Sequence, residues 1–282
     1  GSAVIDKNGH IYAGSDDGYL YCLNNQGLVI WRYGTTSKII CTPTIGSDGN
    51  IYFTNWLNST LYCISKDGEL LFKYNLGEYN TGSSPVFGYD NTLYVLSGND
   101  NISILFAFKG DNLLWNCTLP AITGSTPTIT SDGTLYMVST HHEIVAVNWD
   151  GSVKFIKSIS KFGDIALAYS DTISIGDNGL LYVLNQPSDS AHYDVHATID
   201  YYVNSNDNSI NAYLPNATCV WSISGKSASG TPSYYKGILY ITGQNSLMAI
   251  NASNGNILWS QSISNANNSL SSPLISGDEI IY

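Results

Sequence analysis

Charge is what this chain has least of. Only 12% of its 282 residues are Asp, Glu, Lys or Arg, about half the share of an ordinary globular protein. The 22 acids outnumber the 11 bases, for a net charge of -11. Phosphate backbones and anionic lipid surfaces are held by clustered Lys and Arg. No such cluster occurs, so nucleic acid and acidic membranes are excluded as partners. No apolar run approaches the ~20 residues needed to span a bilayer. A Cys-x-x-Cys pair is missing, which removes the usual structural zinc framework, and no segment competes with a helical period. Catalytic signatures are missing as well. There is no Gly-x-Ser-x-Gly elbow, and Gly225-Lys226-Ser227 is only the tail of a phosphate-binding loop, with Val220 where that motif's first glycine belongs. Asn, Ser, Thr and Gly stand in for the missing charges, which implies a surface solvated by neutral polar groups or by sugars.

Against this background one pattern recurs. A small turn followed by an apolar pair and a tyrosine appears seven times, at Tyr12, Tyr52, Tyr94, Tyr136, Tyr182, Tyr240 and Tyr282, with gaps of 40, 42, 42, 46, 58 and 42 residues. A period of roughly 40 to 45 is that of a four-stranded propeller blade. The second copy shows the unit in full: Thr42-Pro43-Thr44-Ile45, a Gly46-Ser47-Asp48-Gly49 turn, Ile51-Tyr52, then Leu61-Tyr62-Cys63-Ile64 and Leu70-Leu71-Phe72. Each unit reads as four short strands, A to D, separated by Asp-Gly, Asn-Gly or similar pairs that accept the positive φ of tight turns. A second signal keeps the same register. A small residue in strand C precedes an aromatic in strand D by about nine residues, as in Cys22 and Trp31, Cys63 and Phe72, Ala107 and Trp115, Ala146 and Phe155, Ala212 and Trp221, and Ala249 and Trp259. A large ring needs a small neighbour to lie against, so the alternation suits close packing between blades.

The small-residue, glycine and tryptophan arrangement of Ala249-Ile250-Asn251-Ala252-Ser253-Asn254-Gly255-Asn256-Ile257-Leu258-Trp259 resembles the tryptophan-docking repeat of PQQ-like (quinoprotein-type) β-propellers. The resemblance covers nearly the whole chain, whereas WD40 and kelch patterns fit worse. It implies an all-β propeller as a single domain over residues 1–282. Blades are expected at about 1–40, 41–82, 83–124, 125–170, 171–229 and 230–270, with a half blade at 271–282 and seven blades in all. The half blade supplies strands A and B, and its apolar Ile280-Ile281-Tyr282 run is expected to pair with strands from further sequence or from a neighbouring copy. The resemblance also raises quinone chemistry over a calcium ion. The adjacent-cysteine disulfide of the alcohol dehydrogenases is absent here, and their Glu, Asn and Asp calcium ligands find no match in this chain.

Six Asn-x-Ser/Thr sequons stand at Asn58, Asn101, Asn116, Asn216, Asn251 and Asn267. Five fall in expected loops or turns and Asn116 follows Trp115 on an outer strand, so all are candidate glycosylation sites of an extracellular or luminal protein. The five cysteines fit a disulfide framework poorly. Cys22 and Cys63 occupy the small position that alanine holds elsewhere, which reads as buried free thiols, and an odd count leaves one unpaired.

The repeat is broken in one place. Blade five carries an insertion of about residues 185–208 between strands B and C, and the preceding D–A connection is also long. Both loop types emerge on one face. His141 and His142 in the blade-four B–C turn, and His192 and His196 with Asp189, Asp194 and Asp200 in the insertion, form the only candidate metal set. The ordinary reading is a solvated polar loop, because no tight ligand spacing supports a metal. Asn204 to Ser209 matches a calcium loop only in part, lacking the first acid and the turn glycine. Tyr193, Tyr201 and Tyr202, with Asp189 and Asp194, are the expected interaction surface; the tyrosines serve equally well as the insertion's own small core.

The expectation from sequence is a non-enzymatic, extracellular glycoprotein propeller acting as a protein-interaction or structural module, with self-association into a surface or filamentous assembly included. No cofactor beyond N-glycans is expected, with calcium as a minor alternative. The competing readings are a PQQ and calcium-dependent dehydrogenase-like protein and a luminal sensor or assembly scaffold.

Overall fold

The computed structural model describes residues 1–57, 59–77, 83–99, 101–122, 125–141, 143–159, 173–185, 209–224, 229–243, 246–263, 272–276 and 280–281. These residues form six four-stranded sheets, each following chain order from one edge to the other. The first sheet comprises β1 (Val4–Ile5), β2 (Ile11–Gly14), β3 (Tyr19–Leu23) and β4 (Val29–Gly34). The second comprises β5 (Thr44–Ile45), β6 (Ile51–Thr54), β7 (Thr60–Ile64) and β8 (Leu70–Asn75). The third holds β9 (Val86–Phe87), β10 (Leu93–Gly98), β11 (Ile102–Lys109) and β12 (Asn112–Pro120). The fourth holds β13 (Thr128–Ile129), β14 (Leu135–Val138), β15 (Glu143–Val147) and β16 (Val153–Ser158). The fifth is β17 (Ser174–Ile175), β18 (Leu181–Asn185), β19 (Ser209–Tyr213) and β20 (Cys219–Ser224), and the sixth is β21 (Ser229–Tyr235), β22 (Ile238–Gly243), β23 (Ser246–Asn251) and β24 (Ile257–Ser262). Beyond them, Ile275 and Ile281 make one isolated antiparallel bridge.

Local chemistry accounts for these hairpins. In the β5–β6 turn the Asp48 carboxylate accepts from the Asn50 N–H at 3.0 Å, and Gly49 takes a φ of 79°. A residue without a Cβ holds that conformation at little cost. The short β5 and the apolar β6 and β7 then align so that Thr44 faces Tyr52 and Tyr52 faces Cys63.

Burial runs across each sheet in a gradient. Strands β6 and β7 are buried at every position, while β8 alternates between exposed and half-buried. Inner strands covered on both faces must be apolar on both, which is why they read as continuous hydrophobic runs rather than alternating ones. The core accordingly lies between successive sheets. Leu20 of the first sheet joins Ile51, Phe53 and Ile64 of the second in one cluster, and Leu61 of the second joins Leu93, Val95 and Phe108 of the third in another. Leu184 and Ile210 of the fifth sheet join Leu239 and Ile250 of the sixth.

Packing divides the chain into two compact units. One comprises residues 1–135 and 146–154, the other residues 136–145 and 155–282. Among the described residues no helix is long and apolar enough to cross a membrane.

Candidate functional site

In five of the sheets the recurring tyrosine heads a row of three side chains laid across the strands. Tyr12 lies opposite Cys22, which lies opposite Trp31. Tyr52, Cys63 and Phe72 repeat the row, as do Tyr94, Ala107 and Trp115; Tyr182, Ala212 and Trp221; and Tyr240, Ala249 and Trp259. Strands two apart in a sheet are separated by roughly 9.6 Å, so the outer two rings meet only if the residue between them is small. They do meet. Ring centroids stand 5.8 Å apart for Tyr12 and Trp31, 5.8 Å for Tyr94 and Trp115, and 6.0 Å for Tyr182 and Trp221. The small residue thus acts inside the blade first, and the register slips immediately after it, at Cys22, Cys63, Ala107, Ala212 and Ala249.

The tryptophans then reach the next sheet. The Trp31 indole N–H donates to the Lys66 carbonyl at 2.9 Å, that of Trp115 to Trp149 at 3.1 Å, and that of Trp221 to Ala252 at 3.0 Å. Each acceptor lies in a C–D turn that also holds a glycine against the indole face. A Cβ built on Gly68, Gly151 or Gly255 would lie 2.9, 2.7 or 2.8 Å from the ring. Sheet four, whose outer aromatic is Phe155, has no indole to donate. The Tyr136 hydroxyl donates to the Pro215 carbonyl at 3.2 Å, as the Tyr182 hydroxyl does to the Ala252 carbonyl at 3.1 Å, and the turn position that holds glycine at Gly68 and Gly151 is Ala217, with a φ of 60°. Without an indole above it, that position tolerates a side chain.

The outer strands are the sheet edges, and their exposure is systematic. Val29, Ile30, Leu71, Leu114, Val220 and Leu258 all present apolar side chains to solvent. Basic residues accompany three of these edges: Arg32 on β4, Lys73 on β8, and Lys154 and Lys157 on β16. Strands β12, β20 and β24 carry no charged residue. Sequons sit beside those three. Asn116 is exposed on β12, Asn216 is exposed in the turn leading into β20, and Asn251 is half-buried at the end of β23, just before the turn into β24. The Asn251 Oδ1 accepts from the Ser253 N–H at 3.0 Å and the Ser253 hydroxyl at 2.7 Å.

The remaining candidates are dispersed. Asn101 is exposed in the β10–β11 turn, with its N–H bonded to the Asn99 side chain at 2.9 Å. His141 is exposed, and its backbone N–H contacts the Ser139 hydroxyl at 3.2 Å while Glu143 accepts from that hydroxyl at 2.9 Å. Ile280 is exposed, and its carbonyl accepts from the Ser276 N–H at 2.9 Å. Asn58, Asn267, His142, His192, His196, Asp189, Tyr193, Asp194, Asp200, Tyr201, Tyr202 and Tyr282 lie outside the described residues. All five cysteines are free: Cys22, Cys41 and Cys63 are buried, Cys117 half-buried and Cys219 exposed. Burial pushes the Cys63 and Cys117 thiols up to about 11.

A surface cavity of about 660 Å³ opens on the first two sheets, lined by Thr36, Thr60, Tyr62, Lys73 and Asn75 among others. Burial, with Tyr33 as a lesser cause, pushes the Tyr62 phenol up. The described lining residues offer hydroxyls, an amide and one cation. Among the described residues, no three His, Cys, Asp or Glu side chains converge.

Sequence and fold comparisons identify the repeat. A model of the family described as outer membrane protein assembly factor BamB matches residues 206–282. BamB from Moraxella catarrhalis superposes with a TM-score of 0.67 at 14% identity, covering 98% of this chain and 77% of that one. A europium-containing methanol dehydrogenase gives 0.73 at 12% identity, covering 99% and 71%. The fold is a β-propeller of the PQQ and BamB type. This agrees with the all-β architecture and the repeat resemblance read from the sequence. A curated relative, the lambda-carrageenase of Pseudoalteromonas carrageenovora, is 33% identical over 91 residues, which are 30% of this chain and 9% of that protein. The propeller thus matches only a small part of that relative's length. The same scaffold carries an assembly factor and a dehydrogenase, so the fold by itself assigns no chemistry.

Proposed function

We propose that this chain is a non-enzymatic, extracellular glycoprotein propeller that serves as a protein-interaction or structural module. One observation carries the reading: the partition of the outer edges between basic side chains and sequons. An edge strand offers unpaired N–H and C=O groups to any passing strand, and native proteins blunt that hazard with Lys, Arg or bulk. Here β4, β8 and β16 have basic residues, whereas β12, β20 and β24 lack charge; Asn116 lies on β12, Asn216 in the turn before β20, and Asn251 at the end of β23 before the turn into β24. Glycans on those three asparagines take the place of the missing charge. Glycosylation of this kind belongs to a protein that passes through a secretory compartment, which supports the extracellular placement. The likeness to an assembly factor supports the interaction role, because such a propeller works through its surface.

Intact-mass measurement of native material before and after glycosidase treatment tests the reading. Mass loss at Asn116, Asn216 and Asn251 is expected. The triple variant N116Q/N216Q/N251Q should form large aggregates that are suppressed by placing Lys on the same three strands. Unmodified native protein would overturn the glycoprotein assignment. Saturable binding of PQQ in the presence of calcium would overturn the non-enzymatic one.

A further inference from the structure

Two turns at the same end of the third and fourth sheets are built alike, and each carries an aromatic side chain that the turn does not need. Between β9 and β10 the Gly88 N–H bonds to the Thr92 carbonyl at 2.8 Å and the Asn91 N–H to the Gly88 carbonyl at 3.0 Å. Between β15 and β16 the Asn148 N–H bonds to the Ser152 carbonyl at 2.9 Å and the Gly151 N–H to the Asn148 carbonyl at 3.0 Å. Asn91 and Gly151 take the matching positive φ, 62° and 87°. Asp90 accepts from the Thr92 N–H at 3.0 Å and its hydroxyl at 2.6 Å, and Asp150 does the same with Ser152 at 3.0 and 2.6 Å. Directly before these acids stand Tyr89 and Trp149, 80% and 67% exposed. The corresponding A–B turns hold Lys7, Ser47 and Ser131 there, and the corresponding C–D turns Asn25 and Lys66. Strand alternation, which places Val29 and Leu114 on an edge, does not operate in a turn. Both turns lie wholly within the described residues and within one compact unit, and the Trp115 indole of β12 is bonded to the Trp149 carbonyl. An acid and a base flank each ring. Beside Tyr89, the Lys109 ammonium stands 3.9 Å from Asp90. Trp149 lies against Gly133, where an added Cβ would be 3.3 Å from its own, and the preceding Asp132 stands 3.9 Å from Lys154. The Thr92 and Ser152 hydroxyls hold the Asp90 and Asp150 carboxyls below their ordinary range, so both are ionised acceptors near pH 7.

We propose that Tyr89 and Trp149 are stacking platforms of a binding surface for neutral saccharide chains. The proposal rests on the interaction-module reading and names the chemistry of the partner. A pyranose ring has an apolar C–H face and a rim of hydroxyls that both donate and accept. An exposed indole or phenol ring covers such a face, and a carboxylate beside an ammonium group meets the hydroxyls. A protein partner calls instead for a contiguous apolar core depleted of charge, within about 800 Å² on each side; here ions surround each ring. Acidic saccharides are disfavoured, because Asp90, Asp132 and Asp150 outnumber Lys109 and Lys154 around the rings in a chain whose net charge is -11. The rings stand on two sheets, which suits several linked sugars rather than one.

Titration calorimetry of the full chain with cellohexaose, mannohexaose and chitohexaose tests this, with hexagalacturonate as the acidic counterpart. At least one neutral hexaose should bind saturably, with a Kd on the order of 1 mM, and hexagalacturonate should bind more weakly. W149A and Y89A should each weaken the binding about tenfold, and W149F, which keeps a ring, should lose less than W149A. The Trp149 carbonyl that accepts from Trp115 survives these substitutions, and circular dichroism with the thermal midpoint checks each fold. Failure of every neutral probe to bind at millimolar concentration, a preference for hexagalacturonate, or equal affinities of wild type and a folded W149A/Y89A overturns the proposal. Any of these leaves the interaction-module reading standing, since that reading does not require a sugar. Cleavage of a probe that W149A/Y89A no longer binds keeps the platform and ends the non-enzymatic reading.

Discussion

The indole of Trp115 lies against Gly151 so closely that a Cβ added to that glycine would sit 2.7 Å from the ring, while the indole N–H donates to the Trp149 carbonyl at 3.1 Å. One residue of the turn thus meets two demands, a positive φ of 87° and bare contact with a ring. Gly49 meets only the first, with a φ of 79° and nothing near its Cβ position. Gly49→Ala should therefore cost about 1 kcal/mol, and Gly151→Ala about 2 to 4 kcal/mol, because overpacking adds to backbone strain. Chemical denaturation of both variants measures the difference, and equal losses would remove the ring contact from the account.

Sheet four lacks the indole bond on its outer strand and keeps a phenol bond, which sheet five makes beside its indole bond. Tyr136 is buried, and its hydroxyl donates to the Pro215 carbonyl. Tyr136→Phe keeps the ring over Phe155, with centroids 6.4 Å apart, and removes only the bond. A loss of about 1 kcal/mol is expected from the denaturation midpoint. Adding Phe155→Trp to that variant should not restore it, since Ala217 now carries a methyl group where the indole face would rest.

The period of the fold was legible because each element of it leaves a local mark. Gly49 and Gly151 sit at turns that demand positive φ, and Tyr52, Cys63 and Phe72 recur at fixed spacing because one register aligns them. What that register accomplishes was less legible. The pairing of small and aromatic residues reads from spacing as packing between blades, yet Ala107 acts first within its own sheet, letting Tyr94 and Trp115 meet above it. Long-range partners leave no sequence mark at all. Nothing in the spacing connects Tyr136 to Pro215. The candidate metal and interaction residues of the insertion, from Asp189 to Tyr202, lie outside the described residues.

Thiol chemistry separates the five cysteines by environment. A thiolate is the reacting species, and burial raises the pKa of Cys41, Cys63 and Cys117. Cys219 alone is exposed. Native protein treated with a thiol reagent near pH 8 should label one equivalent rapidly, at Cys219, with the other four reacting after unfolding. Peptide mapping identifies the labelled residue, and rapid labelling of Cys22 or Cys63 would contradict their place beneath the rings.

Acid should weaken the turns through Asp90 and Asp132. The Thr92 hydroxyl at 2.6 Å, the Thr92 N–H at 3.0 Å and the Lys109 ammonium at 3.9 Å hold the Asp90 carboxyl below its ordinary range. The Thr130 hydroxyl, the Thr134 N–H at 3.0 Å and the Lys154 ammonium at 3.9 Å do the same for Asp132. A carboxyl more acidic in the folded state stabilises it fully above the unfolded pKa, about 4. That contribution is lost as pH falls through the lower folded value. Both groups are largely exposed, so salt screening keeps each effect small. The thermal midpoint of D90N/D132N should lie below wild type at about pH 7, and the gap should narrow as pH falls below about 4. A gap that stays constant over that range would show that the carboxylates act by shape rather than by charge.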